Sequence, residues 1–216
     1  MKKETMMKTK RLLLRPMSPE ALEAKIAALS DPELKKAYGE MLSGCREKPE
    51  DFLWYSPWQM IRKTDGKALG DLCFKGAPRK GTVEIGYGID EDYAGQGYTS
   101  EALGAMLDWA FAQDNVYAVE AETEPDNAAS RHILEKFRFL PAGEGAEGPR
   151  FRREKPQTSW MAVYMCFGAS IGCAIGSLME NIGAGMCYGM AMAMCLGAAM
   201  DASQRKRRKA VLEEEL

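Results

Sequence analysis

The spacing of apolar residues changes from period two to helical spacing near the middle of the chain. From residue 83 to residue 89 every second position is apolar, which is typical of a half-buried strand. After the glycine-containing segment 95–97 the spacing becomes helical, with apolar residues at Ala102, Leu103, Met106, Leu107, Ala110 and Phe111. The pattern therefore predicts a strand, a glycine turn and a helix over residues 98–113.

The turn between this strand and this helix is suited to an anionic ligand. The first backbone amides of a helix have no partner within the helix, and the positive end of the helix dipole lies behind them. No Gly-Lys-Ser/Thr sequence follows the glycines, and Ser100 stands where a dinucleotide-binding turn has its third glycine. A phosphate or pyrophosphate is therefore the first ligand hypothesis.

The residues before this unit predict two helices and several short strands. Pro16 ends an apolar run because proline cannot donate to a strand ladder, whereas Ser18 and Asp31 are helix-capping residues. The predicted elements are a strand over residues 8–15, helices over 18–29 and 31–42, a loop over 44–56, and strands over 58–63, 68–74 and 82–89. The last three strands are joined by short turns and predict an antiparallel meander.

The residues after the 98–113 helix complete a mixed sheet. They predict a strand over residues 116–123, a helix over 127–136, and weaker strands at 139–140 and 150–153 around the glycine-rich segment 143–148. Strands on either side of a helix imply a crossover connection and a locally parallel pair. The predicted fold class is therefore α/β, with a mixed, mostly antiparallel sheet flanked by helices.

Two segments without charged residues follow Lys155, over residues 156–179 and 181–200, and only Glu180 separates them. Each is close to the length of about 20 residues that spans a bilayer as a helix. Small residues recur at every fourth position, at Gly168, Gly172, Gly176, Gly185, Gly189, Ala193 and Gly197. At this spacing they share one helix face and allow two backbones to approach closely, as in glycine-zipper packing. The pattern predicts a two-helix membrane hairpin over residues 158–202 and a charged tail over 203–216; a buried helical pair in a soluble oligomer is the alternative.

Basic clusters flank both apolar segments and predict their orientation. They comprise Arg150, Arg152, Arg153 and Lys155 on one side and residues 205–209 on the other. Because lysine and arginine near membrane spans stay in the cytoplasm, both termini and the N-terminal domain are expected there. Membrane lipid is then a partner, and the glycine faces offer a route to self-association.

Composition removes several other classes of function. The formal net charge is −2, which does not favour nucleic acid as a partner. The chain has six cysteines without a CxxC pair and a single histidine, so it suggests neither a disulfide framework nor a metal site. No Gly-x-Ser-x-Gly nucleophile motif occurs.

Four segments in chain order resemble the GCN5-related N-acetyltransferase (GNAT) family, in its ribosomal-protein-acetyltransferase-like branch. They read TKRLLLRP over residues 9–16, VEIGY over 83–87, GQGYTSEAL over 95–103 and NAAS over 127–130. The resemblance assigns residues 1–157 to a GNAT domain in which two neighbouring parallel strands splay apart. It implies transfer of an acetyl group from acetyl-CoA to a primary amine: a protein N-terminus, a lysine or a small molecule.

The resemblance also assigns roles to individual residues. The pantetheine arm would pair with Tyr87, Gly88 and Ile89, and Asn127 would contact the same arm. The pyrophosphate would lie on the amides of Gly95, Gln96, Gly97, Tyr98, Thr99 and Ser100, and Ser130 would lie near the thioester sulfur. The chain departs from the family pattern at Ala94, Thr99, Leu134 and Arg138. Ala94 offers no side-chain donor for the pyrophosphate, and Leu134 stands where many members have a tyrosine general acid.

Acyl transfer to an amine needs a base for the amine and a proton donor for the leaving thiolate. Glu84 is the first candidate for the base, because it lies on the strand face opposite Val83 and Ile85. Glu120 and Glu122 are alternatives that would act through water, and Ser130 is the candidate donor. Two other functions stay open: a catalytically weak acyl-CoA-binding module, and a glycine-zipper membrane oligomer that carries the soluble domain as cargo.

Overall fold

The computed structural model describes residues 6–178 and 180–213. The chain divides into two compact units, Met1–Lys155 and Pro156–Leu216. The expected ends of the charged tail (residues 214–216) and of the first apolar segment (residue 179) lie outside the described residues. The two units are considered separately below.

The first unit contains an eight-stranded sheet with the order β1-β2-β3-β4-β5-β6-β8-β7. The strands are β1 (Met7–Lys8), β2 (Leu12–Pro16), β3 (Trp58–Arg62), β4 (Ala68–Phe74), β5 (Thr82–Ile89), β6 (Ala118–Glu122), β7 (Leu140–Glu144) and β8 (Pro149–Glu154). Only β5 and β6 are parallel neighbours, and every other neighbouring pair is antiparallel. The predicted mixed, mostly antiparallel sheet is confirmed.

Five helices flank this sheet: α1 (Pro19–Ala28), α2 (Pro32–Glu47), α3 (Phe52–Tyr55), α4 (Tyr98–Ala112) and α5 (Ala128–Lys136). Three of them begin at a side-chain cap. Ser18 accepts a hydrogen bond from the Ala21 amide, Asp31 from the Glu33 amide and Asn127 from the Ser130 amide. These caps satisfy amides that have no acceptor within the helix, so local sequence sets where each helix begins.

Two predictions for the N-terminal part are wrong. Residues 8–15 form a tight hairpin of β1 and β2 instead of one strand, because Thr9 Oγ1 accepts a hydrogen bond from the Leu12 amide and turns the chain. The segment 44–56 is largely helical instead of a loop. Its Trp54 is buried against the rings of Phe74 and Trp109, at centroid distances of 5.0 and 4.6 Å, and this aromatic packing orders α3.

The core of the first unit lies between the sheet and α4. The α4 residues Ala102, Leu103, Met106, Leu107 and Ala110 are buried, as are Val83 and Ile85 of β5. Glu84 alternates to the opposite face of β5. This arrangement holds the N-terminus of α4 at the end of β5, because the intervening 3₁₀ turn covers only Glu91–Tyr93.

The second unit is a pair of antiparallel helices, α6 (Trp160–Leu178) and α7 (Ile182–Glu213). Their glycine-containing faces meet. A Cβ atom on Gly172 would lie 2.5 Å from the carbonyl oxygen of Gly185, and one on Gly168 would lie 2.5 Å from that of Gly189. Any side chain at these positions would therefore separate the helices. α7 continues through residues 203–213, which the sequence analysis assigned to a charged tail.

Both helices are long and apolar enough to cross a membrane, with mean hydropathies of 1.7 and 1.5 in their most apolar windows. The faces directed away from the helix contact carry large apolar side chains. Phe167, Leu178, Tyr188 and Met192 are all more than half exposed in this unit. The two helices therefore bury glycine against glycine and leave their bulky residues outside.

Candidate active site

The parallel strands β5 and β6 separate beyond one pair of glutamates. They pair from Thr82 with Ala118 to Glu84 with Glu120, and no further. On its other side β5 remains paired with β4 up to Ile89. The backbone of residues 85–89 therefore presents an edge towards β6 without a ladder partner among the described residues. Such an edge accepts an extended chain that carries amide groups.

The glycine turn before α4 forms an open cradle of backbone amides. Gly95 and Gly97 have φ values of 73° and 78°, a left-handed conformation that glycine adopts without steric cost. Gly97 is the residue before the helix and offers no side-chain cap. The amides of Tyr98, Thr99 and Ser100 consequently have no acceptor within α4. Gly95 to Gly97 are exposed and Ser100 is half-buried, whereas Tyr98 and Thr99 are buried, so an anion would approach the cradle from the side of the glycine turn.

A clamp from the N-terminal hairpin holds this turn. Glu101 in the first turn of α4 accepts hydrogen bonds from Thr9 Oγ1 and the Arg11 amide at 2.6 Å, and from Arg11 Nε at 2.7 Å. Arg11 Nη1 also donates to the Gln96 carbonyl at 3.1 Å, and its guanidinium lies 4.2 Å from the centre of the Tyr98 ring. Burial raises the pKa of Glu101, but the hydrogen bonds from Thr9 and Arg11 outweigh it and lower that pKa to about 2.

This clamp was not predicted from the sequence, although Arg11 belongs to a segment that carries the family resemblance. The two partners are 90 residues apart in the chain, and no local pattern marks Glu101 as different from other first-turn glutamates. The clamp matters for the site because it neutralises a carboxylate that lies beside the amide cradle.

A pair of hydroxyl groups lies where β5 approaches α5. Tyr87 Oη and Ser130 Oγ are 2.8 Å apart, and the Ser130 amide donates to Asn127 Oδ1 at 2.9 Å. Burial raises the pKa of Tyr87, and the hydrogen bond with Ser130 opposes this only partly. The phenol therefore stays protonated at neutral pH and can donate. The sequence analysis named Tyr87 for its backbone only, since nothing in the sequence shows that its hydroxyl reaches α5.

Leu134, where the resemblance would place a tyrosine, is fully buried in the core. Its side chain has no group that can donate a proton. At this site, the hydroxyl groups that could donate a proton in place of such a tyrosine are those of Tyr87 and Ser130.

Glu84, the first candidate for a base, lies at the last paired position of β5. Its Oε1 atom is buried and accepts no hydrogen bond among the described residues. Lys75 Nζ lies 2.5 Å from it as an ion-pair partner. Lys75 also contacts Glu147 at 2.8 Å. Burial lowers the pKa of Lys75, yet its interactions with Glu147 and Glu84 raise it overall, so the ammonium remains charged.

The two alternative carboxylates are held by arginines. Glu120 lies 2.6 Å from Arg152. Glu122 lies 2.5 Å from Arg150 and accepts a hydrogen bond from the Glu147 amide at 3.0 Å. That amide hydrogen bond is the main cause of the lowered pKa of Glu122, and Arg150 adds to it against the effect of burial. A carboxylate with a lowered pKa is a weaker base.

A cleft of about 370 Å³ opens on this side of the sheet. Glu84 and Glu120 contribute carboxylates to its wall, and Lys75 and Arg79 contribute cations. Among the described residues, no group of three or more histidine, cysteine, aspartate or glutamate side chains could hold a metal ion. The site is therefore assembled from backbone amides, two hydroxyls and paired charges.

The sequence matches the family model described as "Acetyltransferase (GNAT) domain" over residues 11–140. One curated relative is the "Uncharacterized N-acetyltransferase YjdG" of Bacillus subtilis, 30% identical over 94 residues, which are 43% of this chain and 56% of the relative. Another is the "Uncharacterized N-acetyltransferase p20" of Bacillus licheniformis, 27% identical over 146 residues, covering 62% of this chain and 82% of the relative. The chain thus spans little more than half the length of the first relative and most of the second.

Solved structures share the fold of the first unit. The "acetyltransferase (GNAT family) from Bacillus anthracis" aligns with a TM-score of 0.53 at 20% identity, over 71% of this chain and 100% of that one. Mycobacterium smegmatis RimJ, solved in complex with CoA-disulfide, aligns with a TM-score of 0.54 at 20% identity, over 72% of this chain and 91% of that one. Since the family model matches more than half of the sequence and the fold agrees, the chain belongs to the GNAT acetyltransferase family.

Proposed function

We propose that this protein is an N-acetyltransferase that uses acetyl-CoA as the acetyl donor and a primary amine as the acceptor. The observation that supports it most directly is the convergence of three features at the end of β5. These are the unpaired strand edge, the open amide cradle before α4 and the hydroxyl pair of Tyr87 and Ser130. RimJ and another GNAT relative, the ribosomal-protein acetyltransferase RimL, were solved with CoA.

The residues at this end of β5 fit CoA in shape and charge. The amides of the pantetheine arm would extend the sheet at Tyr87, Gly88 and Ile89, and a Cβ atom at Gly88 would meet no other atom within 4 Å. The pyrophosphate would accept hydrogen bonds from the amides of Gly95, Gln96, Gly97, Tyr98, Thr99 and Ser100. Asn127 uses Oδ1 to cap α5, which leaves its side-chain nitrogen for the arm.

In the proposed reaction the thioester supplies an activated acetyl group, and the protein moves the protons. Glu84 accepts a proton from the acceptor ammonium, which frees the amine lone pair to attack the carbonyl carbon. The C–N bond forms as the C–S bond breaks, and the sulfur leaves as a thiolate. The Ser130 hydroxyl donates a proton to this thiolate, and Tyr87, 2.8 Å away, replaces it. The new amide nitrogen loses its second proton to solvent and Tyr87 regains a proton from solvent, so that one proton is released for each acetyl group transferred.

Glu84 is the preferred base because its cation partner Lys75 is shared with Glu147, whereas Glu120 and Glu122 are each engaged by arginines. Lys75 lies 2.5 Å from the Glu84 carboxylate as its counter-charge. When Glu84 becomes protonated, Glu147 still balances the Lys75 ammonium.

The proposal is tested with the full chain in detergent by calorimetry with acetyl-CoA and by thiol release with a panel of primary amines. We expect saturable binding and amine-dependent release of CoA. Binding without release on any amine would favour the catalytically weak acyl-CoA-binding module. No binding at millimolar acetyl-CoA would refute both and favour the membrane oligomer that carries the first unit as cargo.

We further propose that the second unit anchors the protein in a membrane as a helical hairpin, with both termini cytoplasmic. The large apolar residues on the outer faces of α6 and α7 support contact with lipid chains. The basic residues before α6 and at positions 205–209 support a cytoplasmic location for both ends. The glycine faces already contact each other within one chain, so self-association would use the outer faces.

For this anchor, we expect the full chain to stay in the membrane pellet after carbonate extraction. Integral hairpins resist this treatment because it removes ionic contacts but not apolar burial in the bilayer. A matched chain ending at Lys155 should appear in the supernatant. Release of the full chain together with the truncated one would favour the soluble-oligomer alternative.

A further inference from the structure

The charged wall of the cleft beside Glu84 also bears on the identity of the acceptor. We infer that the acceptor amine carries a carboxylate, as in an amino acid, and that Arg79 binds this carboxylate while Glu84 receives the ammonium. The inference rests on the proposed function, since it names the class of acceptor for the same site.

Two charged side chains of the cleft already have ion-pair partners within the protein. Lys75 is engaged by Glu84 and Glu147, and Glu120 is engaged by Arg152. Arg79 is different, since its side chain has no hydrogen bond, ion pair or ring contact within residues 6–178 and 180–213. The cleft therefore holds one cation that is free to bind an anion.

The carboxylate of the cleft has a cation that it shares with another residue. Glu84 Oε1 is buried in the same cleft, and Lys75 Nζ lies 2.5 Å from it while also contacting Glu147 at 2.8 Å. An acceptor ammonium would take the place of Lys75 beside Glu84, and Lys75 would keep Glu147 as its counter-charge. The cleft thus offers a carboxylate to an ammonium group and Arg79 to an anion, which matches a zwitterion.

The backbone of Arg79 is held in a fixed position. Arg79 and Thr82 exchange both backbone hydrogen bonds, at 2.8 and 2.9 Å, across the turn that leads into β5. The backbone of Arg79 is therefore fixed relative to Glu84, which lies on β5. Arginine binds carboxylates in a forked geometry, which suits selection of an acceptor by the distance between its amine and its carboxylate.

The experiment uses the full chain in detergent and compares each amino acid with the alkylamine that differs from it only by the absence of the carboxylate. Glycine, β-alanine, 4-aminobutyrate and 6-aminohexanoate are set against methylamine, ethylamine, propylamine and pentylamine, in thiol release and in calorimetry with CoA present. We expect kcat/KM for at least one amino acid to exceed that of its matched alkylamine. Arg79→Met should raise KM for that amino acid by up to about fivefold, the loss of one exposed charged contact, with kcat retained.

Lys80→Met provides the matched control, because Lys80 is an exposed cation on the same turn that does not line the cleft. Lys80→Met should leave both kcat and KM unchanged. Arg79→Glu should shift the preference towards diamines such as 1,4-diaminobutane, a gain that misfolding would not produce. Alkylamines used as well as amino acids would overturn the inference and leave the acetyltransferase proposal standing. If CoA binds and no amine of any kind reacts, the proposed function itself fails.

Discussion

Gly97→Glu is expected to abolish CoA binding while the first unit stays folded. Gly97 has a φ of 78° and lies at the N-terminus of α4. The new carboxylate would stand among the amides proposed to bind the pyrophosphate and repel it. Arg11 Nη2 lies 3.6 Å from the Cβ position of Gly97 and would offset part of this charge, so the bulk of the glutamate side chain beside the amides adds to the effect. The loss of charge-assisted hydrogen bonds corresponds to a fall in affinity of about hundredfold or more.

Gly66→Glu is the matched control for this substitution. Gly66 has a φ of 72° and lies in the turn between β3 and β4, and no atom lies within 4 Å of its Cβ position. Both substitutions place glutamate in a left-handed conformation, at a similar cost of about 1–2 kcal/mol in the free energy of unfolding. Thermal unfolding should report this shared cost, and calorimetry with CoA should separate the two variants. Unchanged affinity for Gly97→Glu would mean that the pyrophosphate binds elsewhere.

Glu84→Gln is expected to lower kcat by about 10²- to 10⁴-fold, the usual contribution of a general base. Glutamine keeps the shape of glutamate but does not accept a proton from the acceptor ammonium. The affinity for CoA should not change, because Glu84 lies on the opposite face of β5 from Val83 and Ile85 and makes no contact with the glycine turn. Steady-state thiol release and calorimetry together measure this separation of rate from binding.

Glu120→Gln is the control for Glu84→Gln, since Glu120 is the residue paired with Glu84 across the parallel strands. Its carboxylate is held by Arg152 at 2.6 Å, and we expect kcat to fall much less. The reverse result, with activity lost in Glu120→Gln and kept in Glu84→Gln, would assign the base to Glu120.

Much of the fold follows from interactions between residues that are near one another in sequence. Period-two spacing predicted β5, helical spacing predicted α4, and capping residues such as Ser18 predicted where helices begin. The parallel pair of β5 and β6 also followed, because a helix between two strands requires a crossover. These features depend on local periodicity and chain geometry, which a single sequence contains.

The site could be predicted less completely from the sequence, because its contacts join distant parts of the chain. Ser130 was identified, but its partner Tyr87 lies 43 residues away. The contact of Lys75 with Glu84 depends on the register of β4 against β5, and the helical turn at Trp54 depends on rings from β4 and α4. Such pairings are set by packing, and one sequence does not show which polar side chains meet.

The clamp between Arg11 and Glu101 has a consequence for how the protein is made. Its two sides are 90 residues apart, so during synthesis at about 5–20 residues per second the N-terminal hairpin waits roughly 5 to 20 seconds for its partner. Until then, Arg11 has no partner in α4. Competence to bind CoA would therefore appear only after α4 has been synthesised and has packed against the N-terminal hairpin.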